Sequence, residues 1–480
     1  MPLRTVQQYV ESLRDNRTVY FRGERVADVT KHPVIGVAVS HASIDYELAD
    51  DPAHRDLAVV SGEDGDYSRY YQLPRSSDDL LKRSALIERA TAAGGTLVVL
   101  IKEIGTDALV ALMRVASALD AKYGGSYQHR VDAFYHRCRS NDLAVAVAQT
   151  DVKGDRSLSP ADQSDPDLYV RIADRRSDGI VVRGAKAHTS VSTNANELIV
   201  LPTRAMGEAD RDYAVSFAIP IATPGLTLLA SAYDSSGPLS SPVERPIAAR
   251  HKMMETTTVF DDVFVPWERV FLAGESEFAG PLALAFVEHH RFTAVSYKLP
   301  LVDALVGSAL LMADLNGIAK AGHVREKIVQ LISYAETLRG LTHYAALRAA
   351  PRELGLVAPD PLYVNMAKYH FAHGYHEAVR NVQDIAGGAL VTGPGAEDLA
   401  SPETAAYYER FYAGRVGVSG KERLKALSLV RDLVASEFAT YQEVLAVHAE
   451  GSLEAEKLML FRSYDPTPAL AFVRQLAGLS

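Results

Sequence analysis

The chain has 480 residues, 48% of them hydrophobic, which is enough for two or three domains with substantial cores. Its single cysteine, Cys138, excludes an intrachain disulfide framework and any cluster held only by thiolates of this chain. The net charge of −10 is spread out without a basic patch, so nucleic acid is not an expected partner. We find no signal segment and no apolar stretch of the roughly 20 residues that span a bilayer. The sequence therefore predicts a soluble, cytoplasmic protein that does not contact a membrane.

Helical patterns dominate the first part of the chain, where apolar residues recur every three or four positions, as in 84–92 and 107–119. From about residue 144 the pattern changes to short runs between turn residues. These runs predict strands at 144–148, 179–182, 198–201 and 214–220. Helical periodicity then returns in four long segments, near 281–316, 323–349, 360–386 and 421–448.

Four long helical segments joined by short loops indicate a bundle. The predicted fold class is therefore α+β, with three domains in the order α, β, α. Their predicted bounds are 1–143 for the mainly helical N-terminal domain, 144–275 for the central β domain and 276–480 for the C-terminal four-helix bundle.

The common nucleotide and hydrolase motifs are missing from the sequence. There is no GxGxxG after a strand, no GxxxxGK[ST], no HExxH and no GxSxG. Rossmann, P-loop, zinc peptidase and α/β-hydrolase functions lose support. Any NAD(P)H chemistry is expected to belong to a separate protein.

Four segments carry a resemblance that covers nearly the whole chain. They are an opening that runs from Tyr9 to Pro33, TDVKGDR at 150–156, GAKAHTS at 184–190 and FDDVFVPWERVF at 260–271. In order and spacing they resemble the superfamily of 4-hydroxyphenylacetate 3-monooxygenases and 4-hydroxybutyryl-CoA dehydratases. The resemblance implies an acyl-CoA dehydrogenase-like fold, with an N-terminal helical domain, a central β-barrel-like domain and a C-terminal four-helix bundle.

The resemblance also implies an FAD site on the β domain, where backbone amides and small polar side chains meet the ring edge. The matching positions are Gln149, Thr150, Thr189 and Ser190, with Arg156 in the turn that follows Thr150. Without the resemblance, these would be turn residues that satisfy their own backbones.

In the bundle, Gln383, Gly387 and Gly388 resemble a segment that approaches the FAD of a neighbouring subunit, and Arg291 matches a basic residue that supports its phosphates. A site shared between subunits implies a homotetramer or a homodimer. The alternative is an ordinary helix that ends at a glycine cap.

The dehydratases hold an iron-sulfur cluster, and the ligand positions differ here. Those that match the three cysteines are Val99, Glu103 and Tyr297, which leaves His290 as one ligand for a cluster that needs four. Cluster-dependent dehydration is therefore not expected. Glu255 and Lys298 remain at dehydratase-like positions.

The hydroxylase branch is not matched fully either. The arginine and histidine that its members use for a phenol fall on Ile104 and Val147. With Tyr297 and Lys298, these positions form the expected substrate pocket. His188, His290 and Glu255 are the candidate catalytic residues. Imidazole groups have pKa values near neutrality, which suits the two histidines for proton transfer, although each histidine could instead be structural, and Glu255 is included for its dehydratase-like position.

Three histidines, His370, His373 and His376, recur on one predicted helix. No carboxylate or cysteine lies at a matching offset, so a polar face at a subunit interface is favoured over a metal site, and no metal is expected.

The leading functional prediction is the oxygenase component of a two-component monooxygenase. It would receive FAD as FADH2 from a separate NAD(P)H-dependent flavin reductase and hydroxylate an aromatic or related small molecule. One alternative is a cluster-free, redox-neutral flavin isomerase or lyase that acts on an acyl thioester or small acid. The other is a flavin-binding protein without catalytic activity.

Overall fold

The computed structural model describes residues 3–233 and 241–479. The first part of the chain is mainly helical and also contributes two short hairpins. Its helices are α1 (Val6–Ser12), α2 (Ile35–Ala42), α3 (Ile44–Asp50), α4 (Arg55–Ala58), α5 (Ser77–Ala93), α6 (Glu103–Tyr123) and α7 (Tyr127–Ser140). Its strands are β1 (Thr18–Phe21), β2 (Glu24–Arg25), β3 (Val59–Gly62) and β4 (Gly65–Ser68).

In the middle of the chain, the residues that the structure describes form eight strands. They are β5 (Val145–Ala148), β6 (Arg171–Arg175), β7 (Gly179–Ser190), β8 (Glu197–Val200), β9 (Val215–Pro220), β10 (Leu226–Ser231), β11 (Glu255–Pro266) and β12 (Val270–Ala273). One sheet has the order β2-β1-β10-β11-β7-β6 and the other β12-β9-β8-β5. The rings of Phe217 in β9 and Phe260 in β11 meet edge to face at 5.8 Å, so the two sheets pack against each other.

The last part of the chain is helical apart from one small hairpin, β13 (Ala350–Pro351) with β14 (Val357–Ala358). Its long helices are α8 (Ala279–Leu315), α9 (Gly322–Leu347) and α10 (Pro361–Ala386). Shorter helices follow, α11 (Ala389–Thr392), α12 (Ala396–Ala400), α13 (Ala405–Phe411), α14 (Gly420–Val434), α15 (Glu437–His448), α16 (Leu453–Ser463) and α17 (Thr467–Ala477).

Two predicted features of this region differ from the structure. The segment 421–448, predicted as one helix, is two, because the chain leaves the helical conformation at Ala435 and the Ser436 side chain caps α15 by accepting from the N–H of Ala439. The span 276–315 is long and apolar enough to cross a membrane. However, most of its apolar stretch is buried, as in a core helix.

The predicted domain bounds stay predictions, since the sheet itself crosses residue 143. Strand β1 pairs in parallel with β10, so the N-terminal part supplies an edge of the central sheet. A continuous core of buried apolar residues runs through all three parts, and a second cluster lies between α6, α7, the smaller sheet and the start of α8. This packing brings the end of β7, the start of β11 and the first half of α8 together with residues from α6 and α15.

Candidate active site

Glu255 begins β11 and lies opposite Ser190, the last residue of β7. The Ser190 hydroxyl lies 2.9 and 3.0 Å from the two carboxylate oxygens, and the Tyr441 hydroxyl of α15 donates to one of them at 2.8 Å. Burial nevertheless raises the pKa of Glu255 to about 7, because the two hydroxyl donors offset only part of the desolvation. Glu255 can therefore take up or release a proton near neutral pH.

A second polar group lies on the bundle. The Tyr297 hydroxyl donates to Glu450 Oε1 at 2.6 Å, and Lys298 Nζ donates to Glu450 Oε2 and to the Tyr297 oxygen, each at 3.1 Å. Burial lowers the pKa of Lys298 to about 7. Burial alone would raise the pKa of Glu450, but Lys298 and Lys368 outweigh it and lower that pKa, so the Glu450 carboxylate is charged.

The backbone around Glu450 is fixed by neighbouring side chains. Arg291 Nε donates to the Glu450 carbonyl at 2.8 Å, and Lys368 donates to the carbonyls of Ala446 and Val447 at the end of α15. Glu450 has φ +61°, and a Cβ at Gly451, φ +126°, would lie 2.6 Å from the Arg291 guanidinium. Glycine at 451 thus lets Arg291 reach the loop.

His290 lies one turn before Ala294 and two turns before Tyr297 on the same helix. Its Nδ1 is 3.1 Å from Asp107 Oδ2 on α6, and Arg83 donates to the other oxygen of Asp107 at 2.8 Å. Burial would raise the pKa of Asp107, but Arg83 and His290 lower it, so the carboxylate is ionised and can only accept. Nδ1 of His290 therefore carries a hydrogen, which it donates to Asp107.

These groups face one another. Burial, Glu450 and Glu255 all raise the pKa of Tyr297, and the electrostatic interaction with His290 is one of the causes that lower the pKa of Glu450. We use the name central cluster for Glu255, Tyr441, Tyr297, Lys298, Glu450 and His290. It combines one carboxyl and one amine that titrate near neutral pH with two phenols between them.

The predicted flavin-binding residues of the β domain lie on two adjacent segments. The Thr150 carbonyl accepts from the N–H of Ala187 at 3.0 Å, and Lys186 Nζ donates to the Gln149 carbonyl at 2.8 Å and to Asp151 at 2.5 Å. Residues 149–151 therefore run beside the end of β7. Thr189 is buried and its hydroxyl accepts from Thr258, while Ser190 is engaged with Glu255. The side chains of Thr189 and Ser190 are therefore hydrogen-bonded to other residues of the protein.

His188 is exposed and has φ +54°. It lies at a β-bulge, because the partners of β7 and β11 shift in register between Thr256 and Thr258. The bulge places His188 on the surface beside Thr150 and outside the central cluster.

The remaining predicted cofactor residues are distributed over the molecule. Arg156 is exposed in the loop before β6. Arg291 is 5% exposed and, besides the Glu450 carbonyl, it donates to Asn365 at 2.5 Å, so it faces the interior of the bundle. Gln383 donates to the Val434 carbonyl at 2.6 Å, and Gly387 and Gly388 are exposed at the end of α10.

Two residues of the predicted substrate pocket have apolar side chains and are also surrounded by apolar side chains. Val147 is buried in β5 and Ile104 is half-buried on α6, and both belong to the cluster that contains Phe286. Phe286 stacks on His290 with ring centroids 4.9 Å apart. Ile104 and Val147 therefore contribute to the apolar packing near His290.

The positions that match the dehydratase cysteines do not form a cluster site. Val99 is buried in the core, and the Tyr297 hydroxyl is hydrogen-bonded to Glu450. Glu103 lies beside Asp45. Burial and the neighbouring Glu103 carboxyl both raise the pKa of Asp45. Within residues 3–233 and 241–479, no group of three or more His, Cys, Asp or Glu side chains is placed to hold a metal ion.

The histidines on α10 have separate partners. His370 Nε2 is 3.0 Å from the Tyr334 carbonyl, His373 stacks on Tyr369, and His376 pairs with Glu443.

Sequence reasoning missed Glu450 and Tyr441. Glu450 lies in AEGSLEAE, a stretch rich in glutamate, and no local pattern separates it from Glu454 or Glu456. Tyr441 is on a helix whose start at Ser436 was not predicted. The available signal was the glycine at 451, which follows Glu450 and marks a sharp turn.

Comparison with known proteins identifies the family. The model of the 4-hydroxyphenylacetate 3-hydroxylase N-terminal region matches residues 5–272, and that of the C-terminal region matches residues 279–478. The chain belongs to the 4-hydroxyphenylacetate 3-hydroxylase family. The superfamily expected from its motifs is thereby confirmed.

Two curated relatives come from different branches. The chain is 34% identical to 4-hydroxybutyryl-CoA dehydratase/vinylacetyl-CoA-Δ-isomerase of Clostridium aminobutyricum, over 99% of this chain and 100% of the relative. It is 30% identical to the 4-hydroxyphenylacetate 3-monooxygenase oxygenase component of Thermus thermophilus, over 97% of this chain and 95% of the relative.

Solved structures show the same division. An oxygen-tolerant archaeal 4-hydroxybutyryl-CoA dehydratase from N. maritimus superposes with a TM-score of 0.92 at 29% identity, covering 100% of this chain and 96% of that one. The oxygenase component of 4-hydroxyphenylacetate 3-monooxygenase in complex with FAD gives 0.88 at 28% identity and 98% coverage of both. Butyryl-CoA dehydrogenase from Megasphaera elsdenii, at 15% identity and 0.52, covers 96% of this chain and 99% of that one. The predicted acyl-CoA dehydrogenase-like fold is confirmed.

Proposed function

We propose that this chain is the oxygenase component of a two-component monooxygenase, a soluble cytoplasmic enzyme that receives FADH2 from a separate NAD(P)H-dependent flavin reductase. Its substrate is an aromatic or related small molecule with an ionisable hydroxyl. The observation that carries the proposal is Glu255, a carboxyl with a pKa of about 7 held at the junction of the β domain and the bundle. Relatives named as oxygenase components, one of them solved with FAD, support the cofactor and the reductase.

The residues present fit a flavin. Within the described ranges, the side chains of Thr150 and His188 have no hydrogen-bond partner, and they lie on adjacent segments where a ligand edge can be met. At Gly387 and Gly388, no atom lies within 4 Å of the position that a Cβ would take, so the backbone is open to a phosphate. The flavin ring would be held by Gln149, Thr150 and the backbone of 187–190. The backbone of Gly387 and Gly388 would contact the FAD bound to the neighbouring subunit of a homo-oligomer.

An iron-sulfur cluster does not fit this chain. Three of its four ligand positions lack a thiol or imidazole, and Cys138 is fully buried elsewhere in the second apolar cluster.

Proton transfer is the part of the chemistry that this chain's own residues perform. Reduced FAD, when bound, supplies the electrons that activate oxygen. Ionised Glu255 takes the proton from the substrate hydroxyl, which makes the ring more nucleophilic, and Tyr441 and Ser190 keep its carboxylate oriented. The apolar packing around Phe286, Ile104 and Val147 excludes water from the side near His290.

Oxygen uptake tests this proposal. We would supply chemically reduced FAD with a panel of phenols, beginning with 4-hydroxyphenylacetate, and compare oxygen consumed with hydroxylated product. The proposal predicts that at least one phenol yields product in proportion to oxygen. If every phenol leaves all oxygen as hydrogen peroxide, the proposal is wrong.

A second candidate is a redox-neutral isomerase or lyase that acts on an acyl thioester or small acid. It is favoured by the Lys298–Tyr297–Glu450 group facing Glu255, because two groups that titrate near neutral pH can remove a proton at one carbon and deliver a proton at another in a 1,3-proton shift. The relative from Clostridium aminobutyricum is named as an isomerase as well as a dehydratase.

Vinylacetyl-CoA with oxidised FAD, without oxygen and in D2O, is the probe for this candidate. Deuterium that enters the recovered thioester would favour the isomerase over the oxygenase. Binding of FAD with neither oxygen-dependent nor oxygen-independent turnover would instead favour a non-catalytic flavin-binding protein.

A further inference from the structure

Two of the segments that carry the family resemblance are joined by a buried ion pair. Lys186 lies in GAKAHTS on β7, and Asp151 follows Thr150 in TDVKGDR. Lys186 is 3% exposed and Asp151 is 4% exposed, and Lys186 Nζ donates to Asp151 Oδ1 at 2.5 Å. The proposed proton transfer uses neither residue. Because an apolar pair of similar volume is often at least as stable, stability alone does not account for this ion pair.

The other two hydrogen bonds of Lys186 join the ends of two neighbouring strands. Strands β5 and β8 pair in parallel along their whole length. Gln149 and Leu201 directly follow these strands, and their carbonyls accept from Lys186 Nζ at 2.8 and 2.9 Å. With Asp151, these acceptors engage all three donors of an ammonium group. Lys186 thus ties β7, in the larger sheet, to two strands of the smaller sheet.

The same contacts direct the chain after β5 toward β7. Asp151 and Lys186 form an isolated antiparallel bridge, and the Thr150 carbonyl accepts from the N–H of Ala187 at 3.0 Å. The Thr203 hydroxyl donates to the second carboxylate oxygen of Asp151. Thr150 is therefore held beside β7 by hydrogen bonds that converge on Asp151 and Lys186.

These contacts fix the part of the chain that would hold the flavin ring, namely Gln149, Thr150 and the backbone of 187–190. We propose that Lys186 is a positioning residue for FAD, which keeps Gln149 and Thr150 in the conformation that binds the ring. This inference rests on the flavin site described under the proposed function. Because the donors of Lys186 are engaged within the protein, it acts through these residues and not by contact with FAD.

The partner carboxylate predicts how the two oxidation states of FAD respond. Asp151 balances the charge of Lys186, so the pair presents no net charge to the ring. Removal of both charged groups should therefore weaken the binding of oxidised FAD and of FADH2 by the same factor. A lysine that acted through its charge would instead favour the reduced ring, since that ring can lose a proton and become an anion.

The experiment measures the Kd for oxidised FAD, and without oxygen the Kd for FADH2, by equilibrium ultrafiltration with the full chain. Lys186→Met and the double variant Lys186→Met/Asp151→Leu are each expected to raise the Kd for oxidised FAD at least about ten-fold. In the double variant the Kd for FADH2 should rise by the same factor. The visible absorption bands of bound FAD should also shift, because the surroundings of the ring change.

The double variant also separates flavin binding from folding. Lys186→Met leaves the Asp151 carboxylate buried without its partner, so its melting temperature should fall. The double variant removes both charges and should melt close to the wild type, yet it still lacks the donor that joins Gln149 to Leu201. Weak FAD binding by a protein of normal stability would identify positioning as the role of Lys186.

Lys102→Met is the matched control. Lys102 is also a fully buried lysine, and its Nζ donates to Asp142 at 2.7 Å. Asp142 precedes β5 whereas Gln149 follows it, so this ion pair lies at the other end of the strand. Lys102→Met should lower the melting temperature and leave the Kd for FAD unchanged.

The inference is overturned if the double variant binds oxidised FAD as the wild type does, or if Lys102→Met weakens binding equally. A larger rise of Kd for FADH2 than for oxidised FAD in the double variant would also overturn it, because the charge would then act on the ring. Thr150→Val tests the flavin site itself. If it raises the Kd while the Lys186 variants do not, only the role of Lys186 is wrong. If none of these variants raises the Kd, the flavin ring lies elsewhere and both proposals are wrong.

Discussion

At the scale of single residues, the proposed proton transfer depends on Glu255. Its carboxyl is desolvated at the edge of a sheet, and the Ser190 and Tyr441 hydroxyls are too few to keep its pKa at the usual value. If ionised Glu255 is the base, activity should rise with pH around a pKa near 7. Glu255→Gln should lower kcat/KM about 10²-fold and remove this rise.

The measurement is a pH profile of kcat/KM for the wild type and the variant, with the exposed Glu326→Gln as a matched control. A wild-type profile that is flat between pH 5 and 9, or a variant that keeps the rise, would contradict the role.

The same carboxyl predicts a pH dependence of stability. Burial raises its pKa from the ordinary value of 4.5 to about 7 in the folded chain. Between these values the folded state holds a proton that the unfolded state has released, so the free energy of unfolding falls as pH rises. Glutamine cannot ionise and does not contribute this fall. Glu255→Gln should therefore gain thermal stability relative to the wild type from pH 5 to pH 8. An equal difference in melting temperature at both pH values would argue against the raised pKa.

Arg291 offers a test of two roles. The resemblance predicts that it supports FAD phosphates, whereas the structure shows it bound to the Glu450 carbonyl and to Asn365. From the geometry, Arg291→Gln should loosen the Glu450 loop, so kcat should fall about ten-fold while the Kd for FAD stays unchanged. Titration with FAD, followed by fluorescence quenching, measures the Kd for FAD of the wild type and of the variant and so distinguishes the two roles. A Kd that rises ten-fold would support the phosphate role.

At the scale of elements, the break between α14 and α15 positions Tyr441. The Ser436 cap starts α15 in a direction that brings Tyr441 to Glu255. Ser436→Ala should cost about 1 kcal/mol of stability and also shift the pH profile of activity, because Tyr441 moves.

The matched control is Ser419→Ala, which removes the cap of α14 and leaves Tyr441 in place. It should lower stability by a similar amount with an unchanged profile. Equal profiles in the two variants would show that the break does not position the site.

Local patterns in the sequence were sufficient for several elements. The strands expected near 144–148, 198–201 and 214–220 and the helices near 281–316, 323–349 and 360–386 are present with small shifts at their ends. The sequence did not reveal that β7 and β11 each run for 12 residues, because their length depends on pairing with each other across 65 residues of chain. Nor did it reveal the bulge at His188, which moves that side chain out of the cluster.

The candidate site was predicted in part. Glu255, His290, Tyr297 and Lys298 were chosen from their positions in the family pattern, and the structure brings them together. Their partners Glu450, Tyr441 and Asp107 are distant in sequence. A hydrogen bond such as that from Tyr441 to Glu255 depends on tertiary packing, for which a single sequence carries no local signal.

At the scale of the whole molecule, the site requires all three parts of the chain. The β domain supplies Glu255 and Ser190, α6 supplies Asp107, and the C-terminal helices supply the amine, the phenols and Glu450. Relatives of this chain include one named as a dehydratase and one named as an oxygenase component. In this chain Val99 and Tyr297 stand at two of the positions that match the cluster cysteines.

The most direct test of the oxygenase proposal is rapid mixing of the protein, loaded with FADH2, with oxygenated buffer while flavin absorbance is followed. An oxygenase site that excludes water should delay the appearance of oxidised FAD at least about ten-fold relative to free FADH2, and a productive phenol should shorten the delay. Reoxidation as fast as that of free FADH2, with all oxygen recovered as hydrogen peroxide whether or not a phenol is present, would contradict it.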